Sequence, residues 1–242
     1  MTIGQEPNQW VVKKFADFGA SEEFVAQSFE LFDILGATLM FGEQRTQAHD
    51  RIGEILVDGL FPAFIELRKI RASVGNEPPV VEYRQLYEDM ARKLWKAYKV
   101  LMQRAAEAMN FDLGFLFQND QKFAAGLKTF RELNPSARPL LEAYLREART
   151  GWQNELADFR NRVLEHVEDC EREKFQKFYV AEFAEQLFDA VWRTIVNILA
   201  MLLELRFPPG TCLVEQGPSD PGPKWPKRFH FHIEPRLPTG PQ

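Results

Sequence analysis

The feature that most constrains this chain is where its helix breakers fall. Proline and glycine gather at GNEPP (75–79), at NPSARP (134–139) and above all in PPGTCLVEQGPSDPGPKWPKRFHFHIEPRLPTGPQ (208–242). Between them run long intervals with apolar residues three and four apart, the spacing that lines one face of a helix. The expected fold is therefore all-α: a multi-helix bundle with long C-terminal helices and a Pro-rich extended C-terminal arm. Residues 1–206 form the helical domain in this reading, and 207–242 an extended arm or tail.

The intervals can be followed in order. A first helix is expected from Ser21, an N-cap whose hydroxyl can accept a backbone N–H, with Phe24, Phe29, Phe32 and Leu35 on one side. Helical spacing continues past Gly36, Gly42, Gly53, Gly59 and Pro62, which predict kinks or breaks. A third segment repeats Leu86, Met90, Leu94, Ala97 and Leu101 at helical intervals. Two long helices are then expected, at about 139–172 and 174–207, with Pro139 in the first turn where its missing N–H is not needed.

A chain of 242 residues that is 45% hydrophobic, with 21 phenylalanines, has ample apolar surface to offset the entropy of ordering its backbone. The formal charge of -5 argues against indiscriminate coating of nucleic acid, which rests on many Lys and Arg phosphate contacts. Two cysteines, Cys170 and Cys212, are too few for a disulfide framework and suggest a reducing compartment. The N-terminal residues lack the basic start and unbroken apolar run of a signal peptide, so a cytoplasmic location is expected. The most apolar stretch, 187–207, approaches membrane-spanning length but carries Asp189, Arg193, Asn197 and Glu204, charged and polar groups costly in lipid. It predicts a buried or partner-facing helix and no membrane partner.

In the arm, RFHFHI alternates like a strand. Phe229, Phe231 and Ile233 share one face, expected to pack on the bundle, and His230 and His232 share the other. Those two imidazoles would chelate a metal only if a third ligand such as His49 came near. No CxxC, HExxH or ExxH occurs, and neither a Gly-rich phosphate loop nor a G-x-S-x-G elbow is present. Neither a cofactor nor a metal is expected.

One segment carries more chemistry than the rest. FRNRVLEHVEDC (159–170) continues a 4-3-4-3 seam through Leu145, Arg149, Trp152, Leu156, Phe159, Val163, His166 and Cys170, with Arg149 the polar exception. Arg160, Asn161 and His166 fit R-[N/D/H]-x(4)-H, which resembles the signature of the HEPN superfamily. The resemblance implies an α-helical bundle whose active members are commonly metal-independent endoribonucleases, including toxins and defence effectors, with paired motifs meeting at a homodimer interface. Arg160 would bind phosphate, His166 would transfer protons and Asn161 would orient the substrate. The alternative is a helical interaction or RNA-binding module that performs no chemistry and binds RNA or a protein regulator.

A regular helix turns Arg160 and His166 about 120° apart, because six steps of about 100° pass one full turn and two thirds of another. Either the helix distorts there, or a second subunit completes the site, or Arg162 shares the phosphate role, or Glu165 and Asp169 neutralise the arginines. Arg92, Lys93, Lys96, Lys99 and Arg104 form a basic run with no acid before Glu107. Arg92, Lys96 and Lys99 are candidate RNA contacts, against the plainer alternative of a solvated helix face.

Overall fold

The structure is a computed structural model that describes residues 10–18, 24–42, 44–74, 80–136, 139–165, 173–217 and 227–235. Its architecture is helical. The helices are α1 (Phe24–Phe41), α2 (Arg45–Glu54), α3 (Phe61–Ser73), α4 (Val80–Trp95), α5 (Met102–Ala108), α6 (Asp120–Leu133), α7 (Pro139–Ala148), α8 (Asn154–Phe159) and α9 (Ala181–Glu204). Wider π-helical turns join α2 to α3 (Ile55–Leu60), join α4 to α5 (Lys96–Leu101), join α7 to α8 (Arg149–Gln153) and extend α8 (Arg160–Glu165). The first two of these turns pack on one another, and Gly59 permits it: a Cβ there would stand 2.7 Å from that of Ala97.

Helix α9 runs through the middle and packs against α1, α3, α4, α5 and α7. Val191 and Trp192 are buried, as is every residue from Thr194 to Leu203. It is the one described helix long and apolar enough to cross a membrane, and 78% of its apolar window is buried within the bundle. Asp189 and Arg193 stand at its partly exposed edge, while Asn197 lies at 2% exposure with no donor to its Oδ1. An unmet buried acceptor costs about 1–3 kcal/mol, so Asn197→Leu is expected to raise the unfolding free energy by roughly 1–2 kcal/mol in urea titration. A loss of similar size would instead show that the amide is satisfied in solution.

Two expectations are corrected. The interval 174–207 does not begin as an α-helix: Glu173–Tyr179 forms 3-10 turns, with Phe175 at φ -111° and ψ 27°, and α9 starts at Ala181. The tighter turn aligns positions three apart, so Phe175 and Phe178 both reach Phe159, whose ring stacks on Phe178 at 4.1 Å. In α1 the expected face splits, Phe29 and Phe32 turning outward and Leu35 inward. Phe29 and Phe32 are exposed, whereas Leu31, Ile34, Leu35, Thr38 and Phe41 are buried.

A three-stranded sheet closes one end of the bundle, in the order β2-β1-β3. Its centre is β1 (Trp10–Phe18), parallel to β2 (Cys212–Gln216) and antiparallel to β3 (Lys227–Pro235). The arm's two strands thus flank the N-terminal strand, across the sequence boundary at 206/207. Register places Val12 opposite Ile233 and Lys14 opposite Phe231 on the inner face. Phe231 and Ile233 pack against the core, as their alternation predicts; the side chain of Phe229 lies outside the described residues. Trp10, Phe41, Phe207 and Phe231 make successive ring contacts that tie the sheet to the ends of α1 and α9. Among them Lys14, 1% exposed, forms an ion pair with Glu204 in the last turn of α9, and its ammonium lies 3.7 Å from Glu215 of β2.

Candidate nucleic-acid interface

The seam leading to the arginine motif is buried as its spacing predicts: Leu145, Leu156, Phe159 and Val163 are all at 0% exposure. Its polar exception has a structural role. Arg149, 8% exposed, pairs with Asp120 at 2.7 Å, donates to the Leu116 carbonyl at 3.0 Å and lies over the Phe123 ring. Gln153 joins the same network, donating to Leu116 at 2.6 Å and accepting from the Tyr98 hydroxyl at 2.8 Å. Burial pushes the Tyr98 phenol well above its ordinary range, partly offset by the Arg149 charge. With these donors and acceptors matched, the group serves the π-helical turn at Arg149–Gln153 rather than a ligand.

At Arg160 the helix does distort. Residues Arg160–Glu165 form a π-helical turn. Positions five apart stand about 140° apart on a regular helix, but the wider turn brings Glu165 onto the Arg160 guanidinium as an ion pair. Arg160 Nη1 also donates to Asn161 Oδ1 at 3.2 Å. Of the ways open to this segment, neutralisation by Glu165 is the one the described residues show. Arg162 turns aside to Asp158, 3.7 Å away. His166, with Asp169 and Cys170, lies outside the described residues.

Tertiary packing adds what local spacing did not disclose. The guanidinium of Arg160 lies 5.8 Å from the centroid of Trp95, at the end of α4, and Lys99 Nζ lies 5.6 Å from the same ring. Lys99 is also 5.8 Å from Phe117. The motif arginine and the basic run therefore share one indole, because the Arg160–Glu165 turn packs on α4. Lys96, exposed, stands one residue beyond Trp95. Among the described residues neither Lys96 nor Lys99 has a carboxylate within ion-pairing distance.

The rest of the basic run is neutralised. Arg92 pairs with Asp89 at 2.7 Å and Glu88 at 3.7 Å, and Lys93 reaches Glu66 at 2.5 Å. Burial alone would raise the Glu66 carboxyl; hydrogen bonds and charge from Lys93 and Lys69 outweigh it and hold the group below its usual range. Arg104 is set apart, in an open cleft with Gln44, Gln47, Arg51 and Glu107. What remains is Lys99 and Arg160 over the Trp95 indole, Arg160 with Glu165 as its ion-pair partner, and Lys96 exposed one residue beyond. Trp95 is itself only 8% exposed, so a base would stack on the half-buried Phe117 beside Lys99, with phosphates on the cations, as at a single-stranded nucleic-acid site.

The two arm histidines face different acids. His230 Nδ1 lies 2.8 Å from Asp33 of α1, and His232 Nε2 lies 3.6 Å from Glu234. His49 is on α2 beside Asp50. Among the described residues no three His, Cys, Asp or Glu side chains gather as metal ligands. Cys212 is exposed on β2 and is a free thiol.

The fold defines a helical-bundle protein with a small sheet closing one end, and the site a cation–aromatic face at Trp95. Comparison of the chain with protein-family models, curated proteins and solved structures returns no match.

Proposed function

We propose that this chain is a HEPN-like, metal-independent endoribonuclease that binds single-stranded RNA at the Trp95 face. Lys96, Lys99 and Arg160 take the phosphates, Asn161 and Arg162 orient the strand, and His166 transfers the proton. The observation that supports the reading is the pair of cations, Lys99 and Arg160, on one indole. Attack by a ribose 2'-hydroxyl requires a base for its proton, an acid for the leaving 5'-oxygen and positive charge at the phosphorus. An imidazole can fill either proton role and a guanidinium supplies the charge; with two copies paired, His166 of one copy takes the 2'-hydroxyl proton and the partner's His166 gives one to the 5'-oxygen. Glu165 holds Arg160 in the absence of substrate, and a phosphate would have to displace it. The same resemblance implies that two copies assemble.

The Arg160–Glu165 pair also favours a second reading, in which the guanidinium stays closed and the bundle binds RNA or a protein regulator without cleaving it. One experiment separates the two. Labelled single-stranded RNA is incubated with the protein in EDTA, and cleavage and binding anisotropy are followed in parallel. Cleavage is expected to survive the chelator and to fall about 10²–10⁴-fold in His166→Ala, with binding retained. Lys99→Ala should weaken binding and reduce the salt-dependence slope by about 1. Binding without cleavage supports the second reading; cleavage equal in wild type and His166→Ala, or no binding, rejects the first.

A further inference from the structure

The helix α1 is inside out. Its buried side carries Glu30, Ser28 and Thr38, while every exposed residue from Ser28 to Gly42 is apolar or glycine: Phe29, Phe32, Gly36, Leu39 and Met40. Two of these buried polar groups have partners within the chain. Glu30 accepts from Trp192 Nε1 at 2.9 Å, and Thr38 donates to the Ile34 carbonyl at 2.8 Å. The exposed apolar side has no cover among the described residues, and a contiguous exposed apolar patch marks an interaction surface.

The spacing of that side is specific. Phe29, Phe32, Gly36 and Leu39 follow one another at intervals of three, four and three, the seam along which two helices pack. Gly36 is at its centre. Among the described residues a Cβ there would meet nothing within 4 Å, so no described neighbour requires glycine, and a glycine inside a helix is destabilising relative to alanine. What it does permit is close approach by the backbone of a second helix.

We infer that α1 is a pairing surface for a second copy of this chain, two α1 helices crossing antiparallel about a two-fold axis near Gly36. Phe32 of each copy then meets Leu39 and Met40 of the other, so the seam is complementary to itself. Phe29, Phe32, Gly36 and Leu39 carry no charge; Asp33, at the edge of the seam three residues before Gly36, is held by His230 Nδ1 at 2.8 Å. Phe29 and Phe32 are 58% and 52% exposed, Leu39 and Met40 47% and 39%. Given about 150–250 Å² for a large aromatic side chain, these four present roughly 400 Å² per copy. Two copies would bury about 800 Å² of apolar area, the apolar share of an interface of about 1,200 Å². A lipid surface fits less well: α1 has no Lys or Arg, and the sequence beside it carries Glu22, Glu23 and Glu43, which anionic headgroups repel.

This face is separate from the RNA face. Helix α1 packs on α2, α9 and β3, and the Arg160–Glu165 turn packs on α4 and α8. Pairing through α1 differs from the motif-to-motif interface that the HEPN resemblance implies, so this pairing and RNA binding can be lost independently, and the inference stands whether or not the nuclease reading does.

The test is sedimentation velocity of the full chain over two decades of concentration. A monomer–dimer equilibrium is expected for the wild type, with Phe32→Glu and Leu39→Glu monomeric at every concentration and unchanged in circular dichroism and melting temperature. Phe61→Glu, altering a phenylalanine 46% exposed on α3, should still dimerise. In a Cys170→Ser, Cys212→Ser background, Gly36→Cys should give a covalent dimer on mild oxidation with diamide, because residues at a two-fold axis come within disulfide reach. A wild type that stays monomeric overturns the inference. So does a dimer that survives Phe32→Glu or dissociates in Phe61→Glu, or a monomer that binds neutral lipid vesicles through Phe32.

Discussion

Lys14→Ala is expected to lower the unfolding free energy by about 3–5 kcal/mol, because it leaves the Glu204 carboxylate buried without the ammonium beside it. The Lys14 and Glu204 side chains are 2% and 7% exposed, so water cannot replace the lost partner as it would at the surface. For a chain of this size each 1 kcal/mol moves the melting temperature by roughly 2–4 °C, giving a fall on the order of ten degrees by calorimetry. The control is the double variant Lys14→Met with Glu204→Leu. Removing both charges together should recover most of the loss, since desolvation of the pair consumes much of its mutual attraction. A single-variant cost below about 1 kcal/mol would mean that the pair is solvated and does not hold β1 to the end of α9.

The second large effect is expected at Phe159→Ala, at about 3–5 kcal/mol. Phe159 is fully buried, stacked on Phe178 with planes 6° apart and edge-on to Phe175 and Tyr179. It is also the last residue of α8 before the Arg160–Glu165 turn, so the cavity would open directly beneath Arg160. Urea titration should show the loss of stability. Hydrogen exchange at amides 160–165 should quicken more than the global change alone explains. Phe159→Leu, which leaves a smaller void, is expected to cost less. Equal costs for the two variants would show that restoring apolar volume recovers nothing and that the stacked ring itself carries the loss.

These two residues also mark how far the sequence could be followed. The seam through Phe159 was legible because its neighbours lie three and four positions away and share one helix face. The strand holding Lys14 was not: WVVKKFADF places a lysine at an inward position, which breaks the apolar alternation that marks a strand. Glu204 and Glu215, both from the far end of the chain, make that position tenable. Helix α1 failed differently. Its polar Glu30 and Thr38 fall on the same side as Leu31, Ile34 and Leu35, and its other side is also apolar, so its sequence does not say which side turns inward; Trp192 Nε1 bonded to Glu30 favours the observed side.

The candidate site divides along the same line. Arg160, Asn161 and the basic run could be named from residue type and spacing, and so could the rival outcome that Glu165 neutralises the arginine. That Lys99 and Arg160 meet on Trp95 could not, because α4 and the turn after α8 are brought together by packing alone. By itself the sequence determined the all-α class, the buried central helix, the strand alternation of the arm and the burial of the motif seam. All of these are set by local spacing and by the cost of leaving apolar surface in water. Tertiary structure alone decided the central position of β1, the outward face of α1 and the meeting of Lys99 and Arg160 on Trp95. Those depend on contacts between distant segments, which no local periodicity encodes.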